Sequence, residues 1–283
     1  MEIDRVVGGV RHPSVTTDEI LEAMKTFEVR QDDIWVITYP KAGTTWMQEI
    51  VSVLLNGCDF QKADEIDIRH RYSFLDIVHP GHVCPHVKAA SKPSPRLIKT
   101  HLPSHQMASE IITKKPKIVY VGRNPKDNAA SLFNFHHSCN VLRTYESWDV
   151  FYKAFCAGDV HGGSWFEMNL YWWNKRDEDN ILFVKYEDMK KDLGSVVLKV
   201  SEFFGWEIPD GKLEEVVKHC SFSSMKQNPK TNHTSSEWMK SAFMRKGEVG
   251  DWKNYFSVSQ SEEFDKLYAE KMKGSGLTYQ YEL

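Results

Sequence analysis

Four short stretches hold residues whose types and spacing could do chemistry. The first is Tyr39-Pro40-Lys41-Ala42-Gly43-Thr44-Thr45-Trp46. It follows the β-branched and aromatic run Ile34–Thr38, which reads as a buried strand. It precedes Trp46–Asn56, whose apolar residues fall at helical spacing, with Gly57 beyond as a C-cap. A glycine-bearing turn between strand and helix leaves backbone N–H groups free where the helix dipole favours an anion. Thr44 and Thr45 add hydroxyl donors there, and Lys41 adds a full charge. The second stretch, Val121-Gly122-Arg123-Asn124-Pro125-Lys126-Asp127, is again strand end, turn and helix start, with Ser131 about two helical turns on. The third is Arg245-Lys246-Gly247, and the fourth is Lys99-Thr100-His101 at the end of a strand over Arg96–Thr100. A neutral imidazole near pH 7 is the side chain best poised to take a proton from an attacking hydroxyl. Each stretch also has an ordinary reading. These are a plain corner with a chance lysine, an Arg123–Asp127 ion pair, a solvated turn, and a hydrogen-bonded strand-end histidine. Together, three separate positive sites ask for a ligand with more than one anionic group.

The Lys41 loop is P-loop-like but departs from the Walker pattern. The first glycine is missing, the lysine precedes the glycine, and no clear acidic strand end supplies a magnesium ligand. Terminal phosphates of a nucleoside triphosphate concentrate charge and recruit Mg²⁺. A singly charged sulfuryl group needs less neutralisation, so one lysine and a helix N-terminus could serve without a metal.

These residues need a scaffold. Lys117–Val121 and Ile181–Tyr186 read as two more strands, the latter leading into a helix over Glu187–Phe204. Aromatic-rich helical segments lie near Tyr145–Ala157 and Ser164–Asp179. Short apolar strands alternating with long helices predict an α/β fold: a single domain over residues 1–283, with a central parallel sheet and helices on both faces. Ligands of such sheets gather at the carboxyl ends of the strands, so the turns should face one crevice. His70–Pro95 reads as a loop, as does the polar stretch Ser221–Asp251. A loop that long in a compact domain is functional or mobile.

Composition narrows the classes. The chain has 283 residues, 36 Lys+Arg, 39 Asp+Glu and a formal charge of −3, with 41% hydrophobic residues. That excludes a disordered chain and speaks against a nucleic-acid binder, which usually carries a basic face. The N-terminus shows no secretory signal, and no run nears about 18 apolar residues, so no membrane association is expected. Five scattered cysteines without a C-x-x-C pair suit reduced thiols and a cytoplasmic location. No zinc-ligand spacing is present, and no metal is expected.

The motifs YPKAGTTW, LIKTHLP (Leu97–Pro103), VYVGRNPKDNAASLFNF (Val119–Phe135) and RKGEVGDWKNYF (Arg245–Phe256) together resemble the cytosolic sulfotransferases. They occur in the family's order across most of the chain. The resemblance implies transfer of a sulfuryl group from 3′-phosphoadenosine 5′-phosphosulfate (PAPS) to a small hydroxylated acceptor or an amine, releasing PAP. It assigns Lys41 to the sulfate and leaving phosphate oxygen, and the backbone of Ala42, Gly43, Thr44 and Thr45 to the 5′-phosphate. Trp46, Tyr186, Cys220 and Phe222 fall around the adenine; Cys220 stands two residues before Phe222, where many members have threonine. Arg123, Ser131, Arg245, Lys246 and Gly247 fall on the 3′-phosphate, with Met244 beside them. His101 becomes the general base, assisted by Lys99, with Ser131 also counted as catalytic. Phe74 and Phe135 are expected to line the acceptor pocket with Lys99 and His101, though both phenylalanines also read as ordinary core. The segment Thr234–Ala242 is expected to cover that pocket as a short lid. The family's dimer motif appears as Lys253, Ser257, Val258 and Glu262, with serine in place of threonine, and implies a homodimer. Two other readings compete: a small-molecule kinase, which would turn over Mg-ATP, and a PAP-binding protein without activity.

Overall fold

The computed structural model describes residues 4–78, 81–234 and 236–283. An antiparallel ribbon of β1 (Asp4–Val7) and β2 (Val10–Pro13) comes first, then α1 (Asp18–Lys25). From β3 (Ile34–Thr38) the chain enters α2 (Thr44–Leu55), two short helices α3 (Phe60–Asp64) and α4 (Ile68–Arg71), and then edge strand β4 (Ser73–Phe74). Helix α5 (Pro85–Ala90) leads to β5 (Leu97–Thr100), and α6 (Glu110–Lys114) leads to β6 (Lys117–Gly122). Helices α7 (Pro125–Ser138), α8 (Trp148–Ala157) and α9 (Trp165–Asn174) precede β7 (Ile181–Lys185). Then follow α10 (Tyr186–Lys191), α11 (Leu193–Phe204), α12 (Lys212–His219) and α13 (Phe222–Gln227). After a 3₁₀ turn at Asp251–Asn254, α14 (Val258–Lys271) is the last helix.

The second sheet is parallel throughout, in the order β4-β5-β3-β6-β7. Its strands read as continuous apolar runs because both faces are covered. Side chains alternate as the pleat demands. Trp35, Ile37, Ile118, Tyr120 and Phe183 enter one core with residues of α1, α7, α8, α9 and α14. Ile34, Val36, Val119, Val121, Leu182 and Val184 enter the other with α2, α10, α11 and α12. This is the expected sheet with helices on both faces.

Three expectations need correction. The helix over Glu187–Phe204 is two helices, because the Asp192 carboxylate caps a new one by accepting from the Ser195 N–H and hydroxyl. The stretch His70–Pro95 is not all loop. It holds β4, which pairs with β5 through Phe74↔Lys99, and α5, while residues 79–80 lie outside those described. Ser221–Asp251 begins with α13, whose first turn Ser221 caps. Among the described residues no helix is long and apolar enough to cross a membrane.

Strand order sets the site. The chain runs from β3 out to edge strand β4, back to β5 beside β3, and then to β6 on the other side. The loops leaving β3, β5 and β6 therefore diverge at the carboxyl edge, where such sheets open a crevice.

Candidate active site

The crevice is a cleft of about 860 Å³. Lys41, Gly43, Thr44, Thr45 and Trp46 from the turn after β3 line it, as do Lys99 and His101 at the end of β5. Arg123 and Ser131 enter from β6 and α7, and Tyr186 from the end of β7. Phe222, Met244, Arg245, Lys246 and Gly247 close it from the late segment, and Phe74 and Phe135 flank it. Two expected residues are absent from its wall. Ala42 is fully buried in the core, and its N–H is spent on the Tyr39 carbonyl. The Cys220 thiol is also fully buried, and burial first, then the carboxylates of Glu49 and Asp64, raises its pKa well above the usual value. Only its backbone serves the cleft, because the Cys220 carbonyl accepts the Trp46 indole N–H at 2.7 Å.

The N-terminus of α2 is left without a side-chain cap, so its amides could receive an anion. Its N-cap is Gly43, which offers no side-chain cap, and its first turn has no acidic residue. By contrast α7 is capped by Asn124 and carries Asp127 in its first turn. Gly43 has φ +112°, and a Cβ there would stand 2.9 Å from the Tyr186 ring. Glycine is needed for both reasons. Lys41 itself sits at φ +68°, a left-handed conformation that costs a non-glycine residue about 1–2 kcal/mol. The turn aims its ammonium at the faces of Phe243 and Phe135, 3.7 and 4.4 Å from the ring centres. Burial, with Arg123, Arg245 and Lys99 nearby, lowers its pKa to about 7.

Three cations converge here, Lys99 and Arg123 buried and Lys41 half-buried, with Asp76 acting on Lys99 only at a distance. Lys41, Lys99 and Arg123 form no ion pair among the described residues. Arg123 lies 4.3 Å from the Tyr186 ring centre, donates to the carbonyls of Lys41 and Glu248, and keeps its buried Nε unpartnered. The ordinary reading of Arg123 as a partner of Asp127 fails, because Asp127 accepts the N–H groups of Gly250 and Trp252. Arg245 and Lys246 do pair, both with the nearly buried Asp251, so one carboxylate serves two cations. Uncompensated buried charge is costly, and an anionic ligand would relieve it.

His101 is held as a base would be. Its Nδ1 lies 2.9 Å from the Thr38 carbonyl oxygen, which can only accept. The proton of the neutral ring therefore sits on Nδ1, leaving the Nε2 lone pair free. Burial first, then Lys99 and Lys41, hold its pKa down to about 3. Phe74 meets the ring edge-on at 5.3 Å, and the same phenylalanine lies under the Lys99 ammonium at 4.3 Å.

Sequence reasoning missed the residues that fix this geometry. Asp76, buried beside β4, accepts the Thr100 hydroxyl at 2.5 Å and the His101 N–H at 2.6 Å. Burial raises its carboxyl to about 7. Thr38, Phe243 and His233 were missed as well; His233 Nε2 reaches the Thr45 hydroxyl at 3.3 Å. A two-residue edge strand has no period to read, so no pattern marks Asp76. Of the Thr234–Ala242 segment, Ser236–Met239, Ser241 and Ala242 line the cleft, and residue 235 lies outside those described. Away from the cleft, Glu49, Asp64 and His219 gather, but the Arg71 guanidinium meets both carboxylates.

Comparison with known proteins gives the family. Residues 31–276 match the family described as the sulfotransferase domain. Sulfotransferase 1C2 of Rattus norvegicus is 38% identical over 282 residues, covering 98% of this chain and 95% of its own length. Sulfotransferase 1A1 of Canis lupus familiaris is 38% identical over 270 residues, covering 94% and 92%. Among solved structures, mouse sulfotransferase SULT7A1 complexed with PAP superposes with a TM-score of 0.82 at 30% identity, covering 97% and 95%. An uncapped helix end, three cations outside any ion pair among the described residues and a neutral imidazole at one sheet edge thus sit in a chain that matches over nearly its whole length: it belongs to the sulfotransferase family.

Proposed function

We propose that this chain moves the sulfuryl group of PAPS to a hydroxyl of a small, largely apolar acceptor and releases PAP. One observation carries the reading: the free Nε2 of His101 and the uncapped end of α2 face the same cleft, with Lys41 between aromatic walls beside them. His101 Nε2 takes the hydroxyl proton as the acceptor oxygen bonds to sulfur. The bond between sulfur and the 5′-phosphate oxygen breaks, and its electron pair stays on that oxygen. Lys41 and the amides of Gly43, Thr44 and Thr45 stabilise the charge that develops there. Lys99 supports the sulfuryl oxygens. Arg123 and Ser131 hold the 3′-phosphate, with Arg245, Lys246 and Gly247, while Trp46, Tyr186 and Phe222 surround the adenine. That the mouse relative was solved in complex with PAP supports this nucleotide assignment. The pKa of His101 belongs to a cleft crowded with cations. An anionic co-substrate neutralises Lys41 and Lys99 and makes the imidazole a stronger base.

The test is PAPS-dependent sulfation by the wild type and by His101→Ala. The variant should lose turnover while PAP still raises its melting temperature. Retained turnover would remove His101 from the mechanism.

We also propose a cytoplasmic homodimer. All five cysteines are free, which suits a reducing compartment. Val258 is 78% exposed, with Glu262 about one helical turn further along α14, and the Ser257 hydroxyl caps that helix as threonine would. Loss of the dimer in Val258→Glu, read by size-exclusion chromatography with light scattering, is the expected result.

A further inference from the structure

We infer that His161 binds a second hydroxyl of the acceptor, so that the enzyme prefers acceptors carrying two. The inference rests on the sulfuryl-transfer reading and extends it to the substrate class.

His161 lies between α8 and α9 and lines the same cleft as His101. Its Nδ1 is buried with no hydrogen-bond partner, which leaves Nε2 to open on the cleft. The backbone that presents the ring is clamped on both sides. His161 bridges to Arg11 of β2. The next residue, Gly162, has φ +91°, and a Cβ there would stand 2.7 Å from the Pro40 ring. Gly163 then accepts the Tyr39 hydroxyl at 2.8 Å. The turn carrying His161 is thus pinned to the very loop that presents Lys41. A ring held this way loses little freedom when it binds.

The charge state selects the ligand. Burial, with His101, His136 and His12 nearby, keeps the His161 pKa well below 6.5, so the ring is neutral. Nδ1 has no partner in either tautomer, so Nε2 is free to donate or to accept. A hydroxyl does both and fits either tautomer, whereas a carboxylate only accepts. An acceptor with one hydroxyl gives its oxygen to His101 and leaves His161 facing apolar surface with a second unpaired nitrogen. A site built to bond a hydroxyl discriminates against the analogue that lacks it.

The test compares 2-naphthol with the isomeric dihydroxynaphthalenes as sulfuryl acceptors. In the wild type, at least one isomer should exceed 2-naphthol in kcat/KM by about tenfold, beyond the twofold that two equivalent hydroxyls give. In His161→Leu that ratio should fall to near the statistical value, and His161→Gln should keep part of it. A preference that survives His161→Leu, or no preferred isomer in the wild type, overturns the inference. The PAP-induced thermal shift shows that a variant is folded. If His161→Leu does not fold, the wild-type comparison and His161→Gln still decide. If the wild type sulfates no acceptor at all, it is the transfer reading that has failed.

Discussion

Replacing Arg123 separates the nucleotide assignment from a purely structural role. Its guanidinium is buried, stacked on Tyr186, and bonded only to two carbonyls. In Arg123→Met the apolar stem keeps its place over the ring. The free protein loses two ordinary hydrogen bonds and also sheds a buried cation that has no counter-ion. These effects oppose one another, so its stability should change by no more than about 1 kcal/mol. Binding of PAP is another matter. Two charge-assisted bonds to the 3′-phosphate, at about 2 kcal/mol each, amount to about 4 kcal/mol, or roughly a thousandfold in Kd. At PAP concentrations about 1,000 times the wild-type Kd, the ligand stabilises the wild type by about 4 kcal/mol. The variant would then sit near its own Kd and gain about 0.4 kcal/mol. With about 2–4 °C per kcal/mol for a chain of this size, a melting shift of about 8–16 °C shrinks to about 1–2 °C. Adenosine 5′-monophosphate, which lacks the 3′-phosphate, serves as the control in differential scanning fluorimetry and titration calorimetry. Its affinity should fall less than about threefold. Equal losses for both nucleotides, or a large loss of stability in the free variant, would refute the reasoning.

The lowered pKa of Lys41, about 7, and that of Lys99, about 8, make nucleotide binding pH-dependent. An anion favours their protonated forms, so both pKa values rise on binding and protons are taken up. PAP affinity should therefore fall from pH 7.5 to 9, by up to about tenfold per unit for each proton, in a range where its phosphates are already ionised. Calorimetry in buffers of different ionisation enthalpy reads the uptake directly, and a flat profile would contradict it. Gly43→Ala places a methyl group against Tyr186 at a left-handed position and should destabilise the protein by about 1–3 kcal/mol while weakening PAP. Gly57→Ala is the control, since its left-handed φ of +63° faces open space, and thermal melts should show the smaller loss.

What the sequence makes legible is local. The Lys41 turn can be read because a β-branched run, a glycine and a helical run follow one another within some twenty residues, and β6 with Arg123 repeats the pattern. His101 can be placed because it ends an apolar run. The rest is long-range. Asp76 reaches His101 from a two-residue strand that exists only because β5 is there to pair with. Cys220 occupies a motif position, yet as the C-cap of α12 it turns its thiol into the core and leaves the carbonyl to hold Trp46. The break at Asp192 depends on a cap, which hydrophobic period does not show. His161 is one of twelve histidines, and only the fold sets it beside His101.

The central claim is tested most directly by incubating the wild type with ³⁵S-labelled PAPS and a panel of phenols, alcohols, sterols and amines, and separating the products. The account predicts labelled acceptor and PAP in equal amounts, with no requirement for ATP, and no labelled acceptor from His101→Ala. No transfer to any acceptor, or turnover of Mg-ATP in its place, would contradict it.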